Sequence, residues 1–317
     1  EIKSNFLFVA IEGNKYDGHN YINNAIEHGA YSIICEKLPA TLVEGITYVK
    51  VKSSRKSYSK ICCNFFGNPS KKLKLIGVTG TNGKTTTVTL CHELMLFMGY
   101  KSGLISTNTI KINNKNYKTD LTTPDSYDTN MYLRKMVELD VNFCFMEVSS
   151  HSIHQERIYS LEFFISVFTN ITHDHLNYHG DFKTYLNTKK RLFDNLKTNQ
   201  KSLVNIDDKN GMYMIQNTVS ETYTMSIKKP ADFKLRVIEN SFEGMTLKLD
   251  NKEIQTSLIG NFNAYNILSV VSIAKLLELN EKNIYRNLTL LQPPNGRFEI
   301  IRNKRVTVII DYAHTPD

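Results

Sequence analysis

The stretch Thr79-Gly80-Thr81-Asn82-Gly83-Lys84-Thr85-Thr86-Thr87 has the residue types and spacing to hold a triphosphate. Glycines let backbone N–H groups turn toward an anion, and a helix that follows adds the positive end of its dipole. Lys84 is placed to reach the β- and γ-phosphates, and the Thr85 hydroxyl to hold Mg²⁺. The general P-loop pattern wants Gly six residues before the Lys; this chain has Val78 there, so its form is the shorter Gly-Thr-Asn-Gly-Lys-Thr. The stretch predicts ATP or GTP binding by Gly80, Thr81, Asn82, Gly83, Lys84, Thr85 and Thr86.

Further groups could do chemistry beside that loop. Glu147 ends the apolar run Phe143-Cys144-Phe145-Met146. An acid at the carboxyl end of a parallel strand sits where open α/β sheets bind ligands. There it can hold Mg²⁺ or orient a nucleophile; the alternative is a solvated strand-end acid. His173, His175 and His179 fall within seven residues. Their spacing invites zinc but lacks further ligands of the right type, and one histidine joining a carboxylate on a second Mg²⁺ is more economical. Imidazole is an unusual Mg²⁺ ligand. Lys189, in a helical stretch, reads on its own as a surface lysine. Asn263 and Asn266 are three apart and share a helix face. They could pair with a base edge, or Asn261 or Asn263 could simply cap the helix.

These residues need a scaffold, and the chain alternates strand and helix signals from residue 73 onward, the signature of a parallel sheet covered on both faces. Strands are expected at 73–79, 102–107, 142–148, 164–169 and 201–206, with helices at 85–98, 126–139 and 181–196. Residues 233–258 read as hairpin material in an inserted or appended small sheet. Helices follow at 261–279 and 281–291, then a linker at Gln292-Pro293-Pro294-Asn295-Gly296 and a strand at 305–311. Residues 1–70 read as a separate small α/β unit: strands at 6–11, 31–35 and 46–51, helices at 20–28 and 53–66, closed by Gly67-Asn68-Pro69.

At 317 residues, 41% of them hydrophobic, the chain can bury more than one core. Five cysteines, odd in number and without C-x-x-C spacing, argue against a disulfide framework or zinc site and for reduced cytosolic thiols. There is no signal peptide and no apolar run long enough to span a bilayer. The net charge of +8 is spread along the chain. It gives a basic surface or a field for polyanions such as ATP or a nucleotide sugar, and no nucleic-acid module is present. The first residue is Glu1 and the last seven form a motif, so the chain reads as a fragment at both ends.

Taken together and in this order, the motifs resemble the ATP-dependent Mur ligases, and within them the UDP-N-acetylmuramoyl-tripeptide synthetase branch. The shorter P-loop at 80–86 is that family's form. The other matching strings are Thr122-Thr123-Pro124, Met146-Glu147-Val148-Ser149-Ser150-His151, Phe168-Thr169-Asn170, Asp174-His175-Leu176-Asn177-Tyr178-His179-Gly180 and Asp311-Tyr312-Ala313-His314-Thr315-Pro316-Asp317. The resemblance implies an N-terminal UDP-MurNAc-binding domain at 1–70, a central ATP-binding domain with a mostly parallel sheet at 71–299, and the start of a truncated Rossmann-like C-terminal domain at 300–317. It implies ATP held by residues 80–86, with Asn263, Asn266 and Asp311 at the adenine and ribose and Arg297 near the phosphates. It implies two Mg²⁺ ions on Thr85, Glu147, His175 and a Lys189 carbamylated by CO₂. Lys84, Glu147, His175 and Lys189 would be the catalytic set. Asn14, Lys15, Tyr16, Thr122, Thr123, Ser149, Gln155 and Arg157 would touch UDP-MurNAc-L-Ala-D-Glu. The implied reaction adds an amino acid, meso-diaminopimelate before L-lysine, through an acyl phosphate, in a cytoplasmic monomer that inserts in no membrane. Without a complete third domain, residues 1–317 are expected not to turn over.

Two rival readings are a related ligase such as folylpolyglutamate synthase and a noncatalytic nucleotide-binding homologue. The Thr-Thr-Pro and Asp-Tyr-Ala-His-Thr-Pro-Asp strings argue against the first, and intact Lys84, Thr85, Glu147, His175 and Lys189 against the second.

Overall fold

A computed structural model describes residues 5–13, 15–107, 109–302 and 306–313. In the N-terminal unit, strands β1 (Phe6–Val9), β2 (Ala30–Cys35) and β3 (Thr47–Lys50) form a parallel sheet in the order β1-β2-β3. Helix α1 (Ile22–Glu27) follows a 3-10 turn over Gly18–Tyr21, so the predicted first helix is split. Helix α2 (Ser54–Phe65) is capped by Ser53, whose hydroxyl accepts from Lys56 N at 3.3 Å. Asn68, in the left-handed region at φ 52, and Pro69 then turn the chain into the central unit.

That unit opens with β4 (Lys74–Thr79), α3 (Lys84–Phe97) and β5 (Ser102–Ser106), followed by the hairpin β6 (Thr109–Ile112) and β7 (Lys115–Lys118). Next come α4 (Ser126–Glu138), β8 (Phe143–Glu147), α5 (Ser150–His154) and β9 (Ile165–Phe168). Helices α6 (Leu176–His179) and α7 (Phe182–Asp194) lead to β10 (Lys201–Asn205), α8 (Gly211–Met214) and β11 (Glu221–Ser226). The meander β12 (Phe233–Ser241), β13 (Gly244–Leu249) and β14 (Lys252–Thr256) precedes α9 (Asn261–Leu276) and α10 (Glu281–Leu288). Strands β15 (Glu299–Arg302) and β16 (Thr307–Ile310) make a separate antiparallel ribbon.

The large sheet has eleven strands in the order β14-β13-β12-β11-β10-β9-β4-β8-β5-β6-β7. The meander is therefore no independent sheet: β12 joins β11 in parallel through Met225↔Phe233 and Ser226↔Lys234. Strand β11 and the β6–β7 hairpin are additional to the expected strands. The hairpin has its own signals, alternating Ile110 and Ile112 and a left-handed Asn113 at its turn. The middle strands are buried on both faces, as a parallel sheet requires. One core joins them to α3 and α9 through Val88, Leu94, Leu268 and Val271, the other to α4 and α7 through Leu133, Met136, Leu192 and Phe193. All five cysteines are buried and free, and burial pushes the Cys91 and Cys144 thiols up. No helix among the described residues is long and apolar enough to cross a membrane.

Candidate functional site

Strand β4 lies between β9 and β8. The chain leaves it through α3 toward β5 on one side and reaches β9 on the other. That reversal opens a crevice at the carboxyl ends of the strands, and the loop 80–83 fills its floor. Gly80 has φ 157, and a Cβ there would lie 1.9 Å from Thr169 Oγ1. Gly83, at φ 84, caps α3, and its Cβ would meet Asn266 Oδ1 at 2.6 Å. Two residues after β9 tether the loop. Thr81 N donates to Asn170 O (2.9 Å) and Asn82 N to Asn170 Oδ1 (2.8 Å), while Asn82 O accepts from Thr169 Oγ1 (2.7 Å). Tyr185 of α7 adds its hydroxyl, 3.1 Å from Thr81 Oγ1. The sequence reading gave Thr169, Asn170 and Tyr185 no role, although Thr169-Asn170 belongs to a matching string.

Lys84 Nζ donates to Gly80 O (2.9 Å) and Thr81 O (2.7 Å). Lys189 Nζ reaches the same Gly80 O at 2.9 Å. Lys189 is no surface residue: it is 1% exposed, and its Nζ lies 4.8 Å from the centre of the Tyr185 ring. Burial, with the neighbouring charge of Lys84, holds its pKa well below 10.5, and Asp174 opposes this. Lys84 is lowered too, by burial, against the raising charges of Glu147 and Asp174.

Glu147 is also 1% exposed. The carboxyl end of β5 supplies its partners: Ser106 Oγ donates to Oε1, as do Thr107 N (3.0 Å) and Thr107 Oγ1 (3.2 Å). All three bonds fall on Oε1, leaving Oε2 for a ligand. Thr123 Oγ1 donates to Glu147 O at 2.8 Å and accepts from Ser149 N at 3.1 Å. Arg157 donates to Thr123 O at 2.6 Å and to Gln155 Oε1 at 3.0 and 2.7 Å. The predicted pieces around Thr122, Thr123, Ser149, Gln155 and Arg157 are thus one hydrogen-bonded corner.

Asp174 and His175 face this corner across a cavity of about 400 Å³ that the loop 80–86, Glu147, Ser149, Arg157 and Lys189 also line. His175 is left-handed at φ 54, with Nε2 3.3 Å from Asp174 Oδ2. Its ring meets that of His151 edge-on at 4.9 Å. Burial foremost, with the nearby cationic groups, pushes His151 and His179 down to about 4. Among the described residues no three His, Cys, Asp or Glu side chains are grouped to hold a metal ion.

Other expected residues stand elsewhere. Arg297 and Tyr312 close the cavity over the loop: Arg297 donates to Thr85 Oγ1 at 3.3 Å and stacks 4.8 Å from the Tyr312 ring centre. Asp311 accepts from Phe298 N at 3.0 Å and does not line the cavity. Asn263 and Asn266 do not cap α9, which Gly260 begins, nor do they line the cavity. They are buried, and Asn266 Nδ2 donates to Asn263 Oδ1 at 2.9 Å. Asn263 Nδ2 donates to Ile259 O at 2.9 Å, while Asn266 Oδ1 accepts from Thr87 at 3.4 Å. Their amides thus meet groups of the protein and pack behind Gly83. Lys15 and the 71%-exposed Tyr16 lie in a turn of the N-terminal unit, away from the cavity lining. Asn14 and the string His314-Thr315-Pro316-Asp317 fall outside the described residues.

Comparison with known proteins agrees with this fold. Residues 78–274 match the Mur ligase middle domain. The UDP-N-acetylmuramoyl-L-alanyl-D-glutamate–2,6-diaminopimelate ligase of Bacteroides fragilis is 48% identical over 100% of this chain and 66% of that protein. This chain therefore spans 66% of the length of such relatives. A solved structure of a ligase with that same name superposes with a TM-score of 0.85 at 26% identity, covering 100% of this chain and 66% of the other. MurF ligase from Thermotoga maritima in complex with ADP shares the fold, with a TM-score of 0.65 at 20% identity over 98% of this chain and 68% of the other.

Proposed function

The chain belongs to the Mur ligase family, and from that premise we propose that it is the N-terminal and central part of an ATP-dependent ligase that joins meso-diaminopimelate to UDP-MurNAc-L-Ala-D-Glu in peptidoglycan precursor synthesis. The observation that carries this is the single cavity shared by the phosphate loop, the buried Glu147 and the Thr123–Ser149–Arg157 corner. The names of the relatives support the substrate. On this reading residues 1–70 bind the UDP-sugar, 71–299 bind ATP, and 300–317 begin the domain that receives the amino acid. The enzyme is a cytoplasmic monomer.

Residues 80–86 hold the ATP phosphates through the N–H groups at the start of α3 and the Lys84 ammonium, while Asn170 takes the N–H groups of Thr81 and Asn82 and so keeps the loop in shape; Arg297 stands above them. Asn263, Asn266 and Asp311 serve the adenine and ribose. The Thr123 corner, with Thr122 and Gln155, holds the UDP-sugar dipeptide. Its D-Glu carboxylate attacks the γ-phosphorus and ADP leaves; the incoming amine then attacks the acyl carbon, phosphate leaves, and the nitrogen gives up one proton as the amide forms. Lys84 offsets negative charge throughout the transfer. Closing the cavity against water protects the acyl phosphate from hydrolysis.

The donor set fits Mg²⁺, a hard cation that takes oxygen ligands: the Thr85 hydroxyl and the free Oε2 of Glu147 would hold one ion. A bound Mg²⁺ supplies further charge neutralisation at the phosphate oxygens. A second ion on His175 needs Lys189 as a carboxylate. The depressed pKa of Lys189 supports this, because a neutral amine attacks CO₂ and gives up one proton to form the carbamate. Glu147→Gln keeps the Oε1 acceptor and removes the charge. It is expected to weaken Mg-ATP at least about tenfold while leaving metal-free ATP unchanged, and equal losses with and without Mg²⁺ in titration calorimetry would contradict the assignment.

The deciding assay is phosphate release by the full-length protein that carries this chain, with Mg-ATP, UDP-MurNAc-L-Ala-D-Glu and, in turn, diaminopimelate, L-lysine or no amino acid. Release that needs the UDP-dipeptide and diaminopimelate is expected. Release indifferent to the UDP-dipeptide would reject the reading.

A further inference from the structure

One basic corner holds more charge than its partners balance. Among the described residues Arg157 bonds only Thr123 O and Gln155 Oε1. Arg55, in the first turn of α2, donates to Glu12 O at 2.7 Å. Among the described residues neither guanidinium is in an ion pair. Asp125 is near, but its carboxylate is engaged: it caps α4 by accepting from Asp128 N (2.8 Å) and accepts from Tyr58 OH (3.2 Å).

The docking of α2 fixes where Arg55 stands. Tyr58 reaches Asp125, and the next residue, Ser126, donates from Oγ to Arg157 O at 2.8 Å. Ser59 Oγ accepts from Ser160 N at 3.3 Å. Arg55 and Tyr58 are three apart on one helix face, which sets Arg55 on the face of α2 that docks at Asp125. The charge of Arg55 adds to burial in lowering the Arg157 pKa, while Tyr178 and Asp125 oppose both. Two cations whose hydrogen-bond partners are uncharged, with the charge of Asp125 offsetting one of them, form an arrangement that a further anion relieves.

We propose that Arg55 and Arg157 form a clamp, closed from both units, for the diphosphate of the nucleotide-sugar substrate. The proposal rests on the substrate reading above. Arg55 also holds Glu12 O, at the start of the turn in which Gly13 N donates to Tyr16 O, a turn expected to touch the UDP-dipeptide. Arg157 holds Thr123, which is expected to touch the same ligand from the central unit. The diphosphate is the group of that ligand whose oxygens arginine forks match. Arg55 is thus a substrate-binding residue absent from the motif-based set.

The test is titration calorimetry of UDP-MurNAc-L-Ala-D-Glu, and separately of Mg-ATP, into residues 1–317 and the variants R55A, R55K and K56A, at low and high salt, with inorganic pyrophosphate as competitor. Thermal melts check that each variant folds. R55A is expected to weaken the UDP-dipeptide about tenfold or more at low salt, with a smaller loss at high salt. R55K should fall between, and K56A and all Mg-ATP affinities should be unchanged. Pyrophosphate should compete in the wild type and not in R55A. Unchanged UDP-dipeptide binding by R55A would overturn the clamp and leave the ligase reading standing. A loss independent of salt, with pyrophosphate competing equally, would reduce Arg55 to a support for the Glu12 turn and also overturn it. Wild-type chain that binds Mg-ATP but not the UDP-dipeptide would remove the substrate reading and the clamp with it.

Discussion

Gly80→Ala is expected to abolish ATP binding, weakening it by a factor of about a hundred or more, and to destabilise the fold by about 2–4 kcal/mol. The added methyl would sit 1.9 Å from Thr169 Oγ1 and 3.0 Å from Asn170 O, at φ 157. Thr169 cannot rotate away cheaply, because its hydroxyl holds Asn82 O at 2.7 Å. The residues that must yield are therefore those that shape the loop. Gly99→Ala is the matched control, with φ +83 and nothing within 4 Å of its Cβ. It carries only the left-handed penalty of about 1–2 kcal/mol and should bind ATP normally. Urea unfolding with nucleotide titration separates the two, and normal ATP affinity in Gly80→Ala would contradict the geometry.

Lys189→Met is expected to do two opposite things: end ligation in the full-length enzyme and stabilise residues 1–317 by on the order of 1–3 kcal/mol. The amine is 1% exposed, bonds only a carbonyl, and shares it with Lys84. Its folded pKa lies well below 10.5. Between that depressed value and 10.5 the unfolded chain binds more protons than the folded one, so wild-type stability rises with pH across the window. Methionine has no such dependence. The advantage of Lys189→Met should therefore be larger at about pH 7.5 than at about pH 9.5. A variant less stable than wild type, or a gap that widens with pH in urea unfolding, would refute this account of the buried lysine.

The phosphate loop, its flanking strand and helix, and Glu147 at a strand end were legible because glycine spacing and apolar runs are local signals. The position of Lys189 was not legible from its own neighbours. It sits among Lys190 and Arg191 in a helix that reads as amphipathic, and both lysines are buried only because α7 docks beside the loop. Lys190 has the i+4 partner Asp194, whereas Lys189 has Gly80 O, which no local pattern announces. Resemblance supplied what periodicity could not. The Asn263–Asn266 pair was legible in part: helical spacing placed them on one face, but which groups of the protein their amides meet depended on Gly83 and Thr87. The meander 233–256 has hairpin chemistry of its own, and only the two-residue match of β11 to β12 attaches it to the large sheet.

The tethers of the phosphate loop also set a clock. The loop is short, yet its restraints join residues 88 apart at Asn82–Asn170 and 179 apart at Thr87–Asn266. On the ribosome, α3 is made long before β9, and β9 before α9. A growing chain can form the β4–α3 turn early but cannot fix its shape until residue 266 has emerged and packed. Such long-range closure comes late in folding. Nucleotide should accordingly have little hold on nascent or partly folded chains and should protect only those in which α9 has docked.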